Sequence, residues 1–225
     1  MTSDMISIEL MLFDLDGTII DSKSDLAASI NLMLTDLGRP ALSEDTVGSF
    51  VGDGVRVLVY RSLTATDPNH HPPDEKLHAE GIALMHSHYQ DQMLKTTRLY
   101  EGVAETLEFF KSKRKAVVTS KEVRFTKILL EHFRIAEHFD AIVGGDTLPL
   151  RKPDPGPVIE AIKELKGVAA SAVMIGDSEN DVNAGRGAGA LTCAATFGFR
   201  TAEQLSLTSP DAMIDRFDQL KEIFS

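Results

Sequence analysis

The sequence predicts an α/β protein: a doubly wound parallel sheet with a Rossmann-like core and an inserted all-helical cap domain. Two observations support this fold class. From Tyr100 onwards, short apolar runs alternate with helical segments, a pattern typical of βαβ units whose helices cover both faces of a sheet. Residues 21–96 carry only helical periodicity. We therefore expect a sheet domain formed by residues 1–20 and 97–225, interrupted by a cap domain at 21–96.

The first predicted strand is the apolar run Ile6–Phe13, which ends shortly before the turn-forming Gly17. The insert follows, and its apolar residues recur at helical spacing between stop signals such as Gly38. Its predicted helices span residues 24–37, 43–50, 55–63 and 75–93.

The remaining strands of the sheet are short apolar runs bounded by turn residues. They are predicted at residues 115–119, 140–143, 172–175, 191–196 and 212–214. The helices beside them are predicted at residues 105–113, 123–133, 155–165, 180–188 and 217–223. Because the carboxyl ends of parallel strands line the ligand crevice of such sheets, functional residues are expected at these ends.

The composition limits the classes of protein and partner. A chain of 225 residues can bury one substantial core and a small lid. The formal net charge of −11 argues against a nucleic-acid partner, because basic patches supply most of that affinity. No apolar window is long enough for a membrane span, so no membrane partner is expected.

The single cysteine, Cys193, excludes an internal disulfide and lies in an apolar run, where a buried hydrophobic role is expected. The segment Met1–Glu9 contains acidic residues and no basic region, so no signal peptide is expected. Both observations favour a reducing, cytoplasmic location.

Asp14 and Asp16 follow the first predicted strand directly. Residues two apart on a strand point to the same side, roughly 6.6 Å apart, which spans a phosphoryl group. One carboxylate could attack phosphorus while the other handles the proton on the leaving oxygen. The alternative is that the pair merely opens a turn at Gly17, and the motif alone leaves both interpretations open.

Two later strand ends carry groups suited to phosphate. Thr119 and Ser120 precede a predicted helix, where hydroxyl and backbone N–H groups can hold phosphate oxygens. Lys152 precedes a helix that begins at a proline, and could neutralise a phosphoryl dianion. The alternatives are a helix N-cap at Ser120 and a solvated loop lysine at 152.

Asp177 follows another predicted strand, with Asp181 four residues further on. Like charges at this spacing on a helix cost about 0.2–0.5 kcal/mol, which a bound cation would reverse. Carboxylates completed by water are ligands that suit Mg²⁺. The alternative is a capping box formed by Ser178 and Asp181. In the insert, Arg56 could pair with a substrate carboxylate, or be an exposed surface arginine.

The chain resembles the haloacid dehalogenase superfamily of phosphohydrolases over essentially its whole length. The resemblance is carried by four motifs in the same order along the chain, at residues 14–18, 119–121, 152–155 and 176–181. The helical insert is similar to the C1-type cap of that superfamily. Within the insert, the segment around Gly52 and Gly54 resembles bacterial phosphoglycolate phosphatases, as does Gly144-Gly145-Asp146 in the sheet domain. Ser120 departs from that pattern, which usually has Asn.

The resemblance implies the following roles. Asp14 would attack phosphorus and form an aspartyl-phosphate, and Asp16 would act as acid and then as base. Lys152 would stabilise the charge of the attacking and phosphoryl groups. The implied Mg²⁺ ligands are Asp14, the backbone carbonyl of Asp16, and Asp177, with Asp181 in support. The implied substrate-binding residues are Gly17, Thr18, Thr119, Ser120 and Arg56.

The resemblance also implies a small phosphorylated metabolite as substrate, with 2-phosphoglycolate the first hypothesis. A sugar phosphate, a nucleotide or pyrophosphate are alternatives, as is a non-catalytic phosphate-binding module. A phosphosugar mutase is less favoured because the first histidine is His70, far from the first motif. A phosphonate-cleaving relative would need a lysine that residues 24–75 lack. A monomer or homodimer is expected.

Overall fold

A computed structural model of the chain describes residues 5–225. Residues 1–4, part of the segment expected to lack a signal peptide, lie outside the described residues. The Cα positions divide the chain into two compact units. The core unit comprises residues up to Ile20 together with Leu99–Ser225, and the inserted unit comprises Asp21–Arg98.

The core unit contains a six-stranded parallel sheet in the order β5-β4-β1-β6-β7-β8. Its strands are β1 Leu10–Phe13, β4 Arg114–Val118, β5 Ala141–Val143, β6 Ala172–Gly176, β7 Leu191–Ala195 and β8 Ala212–Ile214. Two short strands, β2 Ile20–Asp21 and β3 Arg98–Leu99, pair with each other where the chain passes between the units. The predicted doubly wound parallel sheet is confirmed.

The central strands of this sheet are buried on both faces, and their side chains alternate between two apolar clusters. Met11 and Phe13 of β1 belong to one cluster, and Leu10 and Leu12 to the other. Strands β4 and β6 alternate in the same way. Strand β1 is buried on both faces and is apolar at every position, which is why its sequence is a continuous apolar run.

Helices cover both faces of the sheet. One cluster contains residues of α5 Val103–Phe109, α6 Val123–His132 and α10 Leu220–Ile223. The opposite cluster contains residues of α7 Gly156–Glu164 and α8 Glu179–Gly187. The chain also forms α9 Ala202–Ser206 and three short 3₁₀ turns at Ala136–His138, Ala169–Ser171 and Phe217–Gln219.

The inserted unit contains four helices, α1 Lys23–Asp36, α2 Glu44–Phe50, α3 Val55–Ala65 and α4 Glu75–Gln92. The Ser43 hydroxyl accepts a hydrogen bond from the Thr46 N–H and so fixes the start of α2. A Cβ at Gly81 of α4 would contact side chains of both α1 and α3. A glycine here allows the three helices to pack closely.

The main differences from the sequence prediction lie at the chain ends and after β7. The first strand begins at Leu10, whereas the prediction began at Ile6. Ile6 pairs instead with the carboxyl-terminal segment, where its N–H donates to Ile223 O at 2.8 Å. The five-residue helix α9 was not predicted. Within residues 5–225, no helix combines the length and apolar character that a membrane span requires.

Strand β1 lies at the point where the strand order reverses, with β4 on one side and β6 on the other. Crevices at such switch points, beyond the carboxyl ends of the strands, are where open α/β sheets bind ligands. The ends of β1, β4 and β6 are therefore the place to look for a site.

Candidate active site

Asp14 follows β1 and extends its pairing with β6, because its N–H donates to Ile175 O at 2.9 Å. The chain then turns sharply: Gly17 has φ +86°, and its N–H donates to Ile20 O at 2.8 Å. The residues therefore do form the turn that was one of the two interpretations. Asp14, just before this turn, is nearly buried, with 8% of the residue exposed.

Lys152 is buried, so the alternative of a solvated loop lysine is wrong. Its ammonium group donates to Asp14 Oδ1 at 2.9 Å, Asp181 Oδ1 at 2.5 Å and Val118 O at 2.7 Å. An ammonium group has three protons, and each has an acceptor here. The peptide bond between Lys152 and Pro153 is cis.

Asp181 lies in the first turn of α8 and completes the capping box that the sequence suggested. Its Oδ2 accepts from the Ser178 N–H at 3.0 Å and from the Ser178 hydroxyl at 2.6 Å. Because its Oδ1 accepts from Lys152, both oxygens of Asp181 already have partners. Asp181 thus combines the capping role with a place beside the ammonium group that also bonds Asp14.

Asp177 follows β6 and is almost fully buried. Its Oδ2 accepts from the Phe199 N–H at 2.6 Å, and the Thr18 hydroxyl donates to its Oδ1 at 3.5 Å. Thr18 itself is fully buried. Its expected contact with substrate stays a prediction, as does that of Gly17.

The carboxylates of Asp14, Asp177 and Asp181 each offer an oxygen atom, and these three atoms lie within 4.8 Å of one another. The Lys152 ammonium pairs with two of these buried carboxylates, Asp14 and Asp181, and its one positive charge does not balance three negative charges. A divalent cation with oxygen ligands would neutralise them. The donor set therefore fits a hard divalent metal ion.

The pKa values reflect this uncompensated charge. Burial raises the pKa of Asp14 to about 6, although the Lys152 ammonium opposes the shift. Burial and the nearby Asp14 and Asp181 carboxylates raise the pKa of Asp177 well above its usual value. Burial alone would lower the pKa of Lys152, but Asp14 and Asp181 outweigh it and raise that pKa. Lys152 is therefore charged at any physiological pH.

The segment after β4 carries the predicted phosphate-binding residues. The Thr119 hydroxyl accepts from the Lys121 N–H at 3.2 Å. The predicted helix N-cap at Ser120 is wrong: α6 begins at Val123, and Glu122 is the residue before it. The Ser120 hydroxyl is buried and has no hydrogen-bond partner in the described residues. A buried hydroxyl with unused capacity can accept or donate to a bound anion.

Lys121 contributes a second ion pair, with its ammonium nitrogen 3.1 Å from Asp16 Oδ2. Both side chains are largely buried, with 7% and 11% of their surfaces exposed. The two carboxylates of the first motif are thus each paired with a different lysine, Asp14 with Lys152 and Asp16 with Lys121.

The segment Gly144-Gly145-Asp146 after β5 holds residues 119–121 and the start of α6 in place. The Gly145 N–H donates to Lys121 O at 2.8 Å, and Asp146 Oδ1 accepts from the Val123 N–H at 2.8 Å. A Cβ at Gly145 would lie closer than 3.0 Å to the Ser120 carbonyl. Asp146 therefore supplies the partner for the start of α6 that Ser120 does not provide.

Arg56 lies in the first turn of α3 in the inserted unit and is exposed. Its backbone carbonyl is 2.8 Å from His78 Nε2. Its expected role in binding substrate stays a prediction. The other candidate residues all belong to the core unit.

No role at this site was predicted from the sequence for Lys121 or for the loop that contains Phe199. Lys121 was detectable in principle, because it adjoins Thr119 and Ser120 at a strand end. The loop follows β7, another strand end at the same edge, and its Gly198 marks a place where backbones approach closely. A backbone donor such as the Phe199 N–H leaves no signature in residue type.

A parallel sheet with buried carboxylates, a buried lysine and oxygen donors that could hold a metal ion at its switch point is typical of α/β enzymes. The sequence model of the haloacid dehalogenase-like hydrolase family matches residues 11–195. The chain belongs to this family, which confirms the resemblance inferred from the sequence.

Curated relatives cover nearly the whole chain. A phosphoglycolate phosphatase of Colwellia psychrerythraea is 36% identical over 214 residues, which cover 94% of this chain and 95% of the relative. One from Thiobacillus denitrificans is 37% identical over 217 residues, covering 95% and 94%. Among solved structures, a predicted phosphoglycolate phosphatase of Haemophilus somnus matches with a TM-score of 0.91 and 31% identity, covering 96% and 97%.

Proposed function

We propose that this protein is a Mg²⁺-dependent phosphatase that hydrolyses a small phosphate monoester through an aspartyl-phosphate on Asp14. The observation that carries the proposal is the position of Lys152, whose ammonium group bonds Asp14 and Asp181 at once. This contact holds the Asp14 carboxylate in one orientation and keeps a positive charge where a phosphoryl group would accumulate negative charge.

In the first step, an Asp14 carboxylate oxygen forms a bond to phosphorus while the bond from phosphorus to the ester oxygen breaks. Asp16, in its protonated form, gives its proton to the leaving alkoxide. The alcohol departs and the phosphoryl group stays on Asp14. Covalent capture divides one difficult displacement into two easier ones.

In the second step, the ionised Asp16 takes a proton from water, whose oxygen attacks phosphorus. The bond to Asp14 breaks, inorganic phosphate is released, and Asp16 is again protonated. The Lys121 ammonium lies 3.1 Å from Asp16 Oδ2 and would orient this side chain for both proton transfers.

The metal ion would be held by Asp14, the Asp16 backbone carbonyl and Asp177. When bound, it would shield the negative charge of the phosphoryl oxygens. Asp181 supports the site by orienting Lys152, because both of its oxygens are engaged by Lys152 and Ser178. Thr119 and Ser120 would contact phosphate oxygens.

The proposed substrate is 2-phosphoglycolate. Its support is the name shared by relatives that are 36–37% identical over more than nine-tenths of the chain. Steady-state kinetics against a panel of phosphate esters tests this assignment, and 2-phosphoglycolate should have the highest kcat/KM. A sugar phosphate, nucleotide or pyrophosphate that is more than about ten-fold better would overturn it while leaving the phosphatase proposal intact.

The covalent step is tested separately with Asp14→Asn, which keeps the shape of the side chain but removes the nucleophile. Turnover of every ester in the panel should fall by at least about 1,000-fold. Acid quenching of the parent during turnover should add the mass of one phosphoryl group to the peptide that contains Asp14. Parent-like turnover by Asp14→Asn would disprove the aspartyl-phosphate.

We also propose where the protein acts, on which class of partner, and in which oligomeric state. The acidic charge of the chain and its single, buried cysteine favour action on a small metabolite in the cytoplasm, without nucleic acid or membrane. A monomer or homodimer is expected, and light scattering of the purified protein distinguishes the two.

A further inference from the structure

The Asp177 side chain lies close to the backbone at two glycines, Gly17 and Gly198. A Cβ at Gly17 would lie closer than 3.0 Å to all three atoms of the Asp177 carboxylate group. A Cβ at Gly198 would lie equally close to Asp177 Cβ, Asp177 Oδ2 and the Gly17 carbonyl oxygen. Gly17 belongs to the first motif, whereas residues 197–200, which we call the β7 loop, have no role assigned to them so far.

The β7 loop also makes a direct polar contact with the carboxylate. The Phe199 N–H donates to Asp177 Oδ2 at 2.6 Å, a short hydrogen bond to a charged acceptor. The backbone at Gly198 therefore limits where the Asp177 side chain can lie, and the Phe199 N–H fixes the orientation of its carboxylate.

The β7 loop is anchored at both ends, so this contact is not left to a mobile segment. At its start, the Thr196 N–H donates to Ile214 O at 2.9 Å, and the Phe197 ring packs edge-on against Tyr100 with centroids 4.8 Å apart. At its end, Arg200 Nε lies 3.5 Å from Glu179 Oε2, and Thr201 begins a capping box for α9.

We infer that the β7 loop is a part of the metal site: Gly198 and the Phe199 N–H position Asp177 and thereby set the affinity for the metal ion. The inference rests on the proposed metal site. Groups that orient a ligand in this way commonly change metal affinity about 10–100-fold when they are altered. Residues 198 and 199 are positioning residues, because neither side chain has to touch metal or substrate.

The test is Gly198→Ala, with Phe199→Ala as the matched control. The first variant puts a methyl group against Asp177, whereas the control removes a side chain but retains the N–H donor. Dissociation constants for Mn²⁺, measured by calorimetry without substrate, should rise about 10–100-fold for Gly198→Ala and stay within about three-fold for Phe199→Ala.

Thermal unfolding in chelator separates positioning from general damage. A Gly198→Ala protein that is destabilised but binds Mn²⁺ like the parent would overturn the inference. Equal weakening in both variants would do so too, because it would point to the packing of the loop. Should the parent itself bind no Mn²⁺, the proposed metal site fails, and this inference fails with it.

A measurement on the parent avoids dependence on how well the variant folds. In amide NMR spectra, the Phe199 N–H should resonate far downfield, and its shift on Mg²⁺ addition should saturate with the dissociation constant that calorimetry gives for Mg²⁺. The Leu205 amide, in α9 and bonded to Thr201 O, should not shift. A Phe199 amide that does not respond to saturating Mg²⁺ would contradict the inference.

Discussion

Asp14 combines two requirements that oppose each other in the metal-free protein. In the proposed reaction it must be ionised to attack phosphorus, yet burial raises its pKa to about 6 even with Lys152 beside it. The raised pKa means that the ionised form is less stable in the folded protein than in the unfolded chain. A bound divalent cation would reverse this balance.

The raised pKa gives a pH-dependent prediction for stability without metal. Above about pH 6 the folded protein holds an ionised Asp14 that unfolding would transfer to water, so the charge lowers stability. Below the usual value of 3.8 the carboxyl group is protonated in both states, and the cost disappears. In chelator, Asp14→Asn should therefore melt at a higher Tm than the parent above pH 6, and the difference should shrink as the pH falls.

Circular dichroism melts of both proteins across this pH range provide the measurement. The Asn amide oxygen can still accept from Lys152, so the comparison removes the charge and little else. A parent that is more stable than Asp14→Asn at neutral pH would show that Lys152 more than compensates for burial.

At the level of single elements, local signals predicted the helices of the insert closely. The predicted segment 24–37 compares with the observed Lys23–Asp36, and 43–50 with Glu44–Phe50. The N-cap Ser43 and the break at Gly38 are interactions within a few residues of the helix ends, so the sequence displays them. Ile6 is different: its partner is at the far end of the chain, and no local pattern specifies that pairing.

Asp146 should stabilise residues 119–121, the proposed phosphate-binding segment, through helix α6. Its carboxylate accepts from the Val123 N–H, one of the donors that the first turn of a helix leaves unsatisfied. Asp146→Ala should lower the free energy of unfolding by about 1 kcal/mol. Because the segment 119–121 would be less firmly held, KM for the phosphate ester should rise more than kcat falls.

Chemical denaturation and steady-state kinetics of Asp146→Ala measure the two effects. Asp146→Asn is the matched control, since its side-chain oxygen can still accept the hydrogen bond. A fall in kcat with KM unchanged would mean that Asp146 acts on chemistry and not on the binding segment.

In the inserted unit, Asp25 ties α1 to the segment that ends the insert. Its carboxylate accepts from the backbone N–H and the hydroxyl of both Thr96 and Thr97. Burial opposes ionisation, but these hydrogen bonds outweigh it and hold the pKa of Asp25 below 3.8. A carboxylate whose pKa is lower in the folded protein than in the unfolded chain stabilises the folded protein at pH values above the unfolded-state pKa. This stabilisation is lost as the pH falls through the folded-state pKa.

Asp25→Asn should therefore cost about 1.5–3 kcal/mol of stability at neutral pH, because an amide cannot accept all of these donors. The cost should decrease as the pH falls below about 3.8, because Asp25 of the parent then gains a proton first in the unfolded chain and, at still lower pH, in the folded protein. Thermal melts against pH measure it. Asp45→Asn, which alters only the exposed pair with Lys23, should melt like the parent and is the control.

For the whole molecule, the order of residues at successive strand ends was enough to predict the sheet and the group around Asp14. Lys152, Asp177 and Asp181 come together because the ends of parallel strands share one edge. The pairing of Lys121 with Asp16 and the contact from the β7 loop were not predicted. They depend on how loops fold over that edge, and one of them uses only a backbone N–H.

Metal binding should stabilise the whole protein, because it relieves the repulsion among the buried carboxylates. At a Mg²⁺ concentration 100 times the dissociation constant, the gain should be about 2.7 kcal/mol, or roughly 5–10 °C in Tm. Differential scanning calorimetry with Mg²⁺ and with chelator measures this. In Asp177→Asn the shift should largely disappear, and a parent-like shift there would place the metal elsewhere.

The shared bonding of Lys152 has a practical consequence for anyone who needs an inert version of this enzyme. Its ammonium group joins the ends of β1 and β4 to the start of α8, so replacing it would leave clustered acids without a counter-ion and weaken the framework itself. In Asp16→Asn, by contrast, the amide oxygen could still accept a hydrogen bond from Lys121, which is paired with the Asp16 carboxylate in the parent. For trapping a bound ester in an intact protein, Asp16 is accordingly the better residue to change.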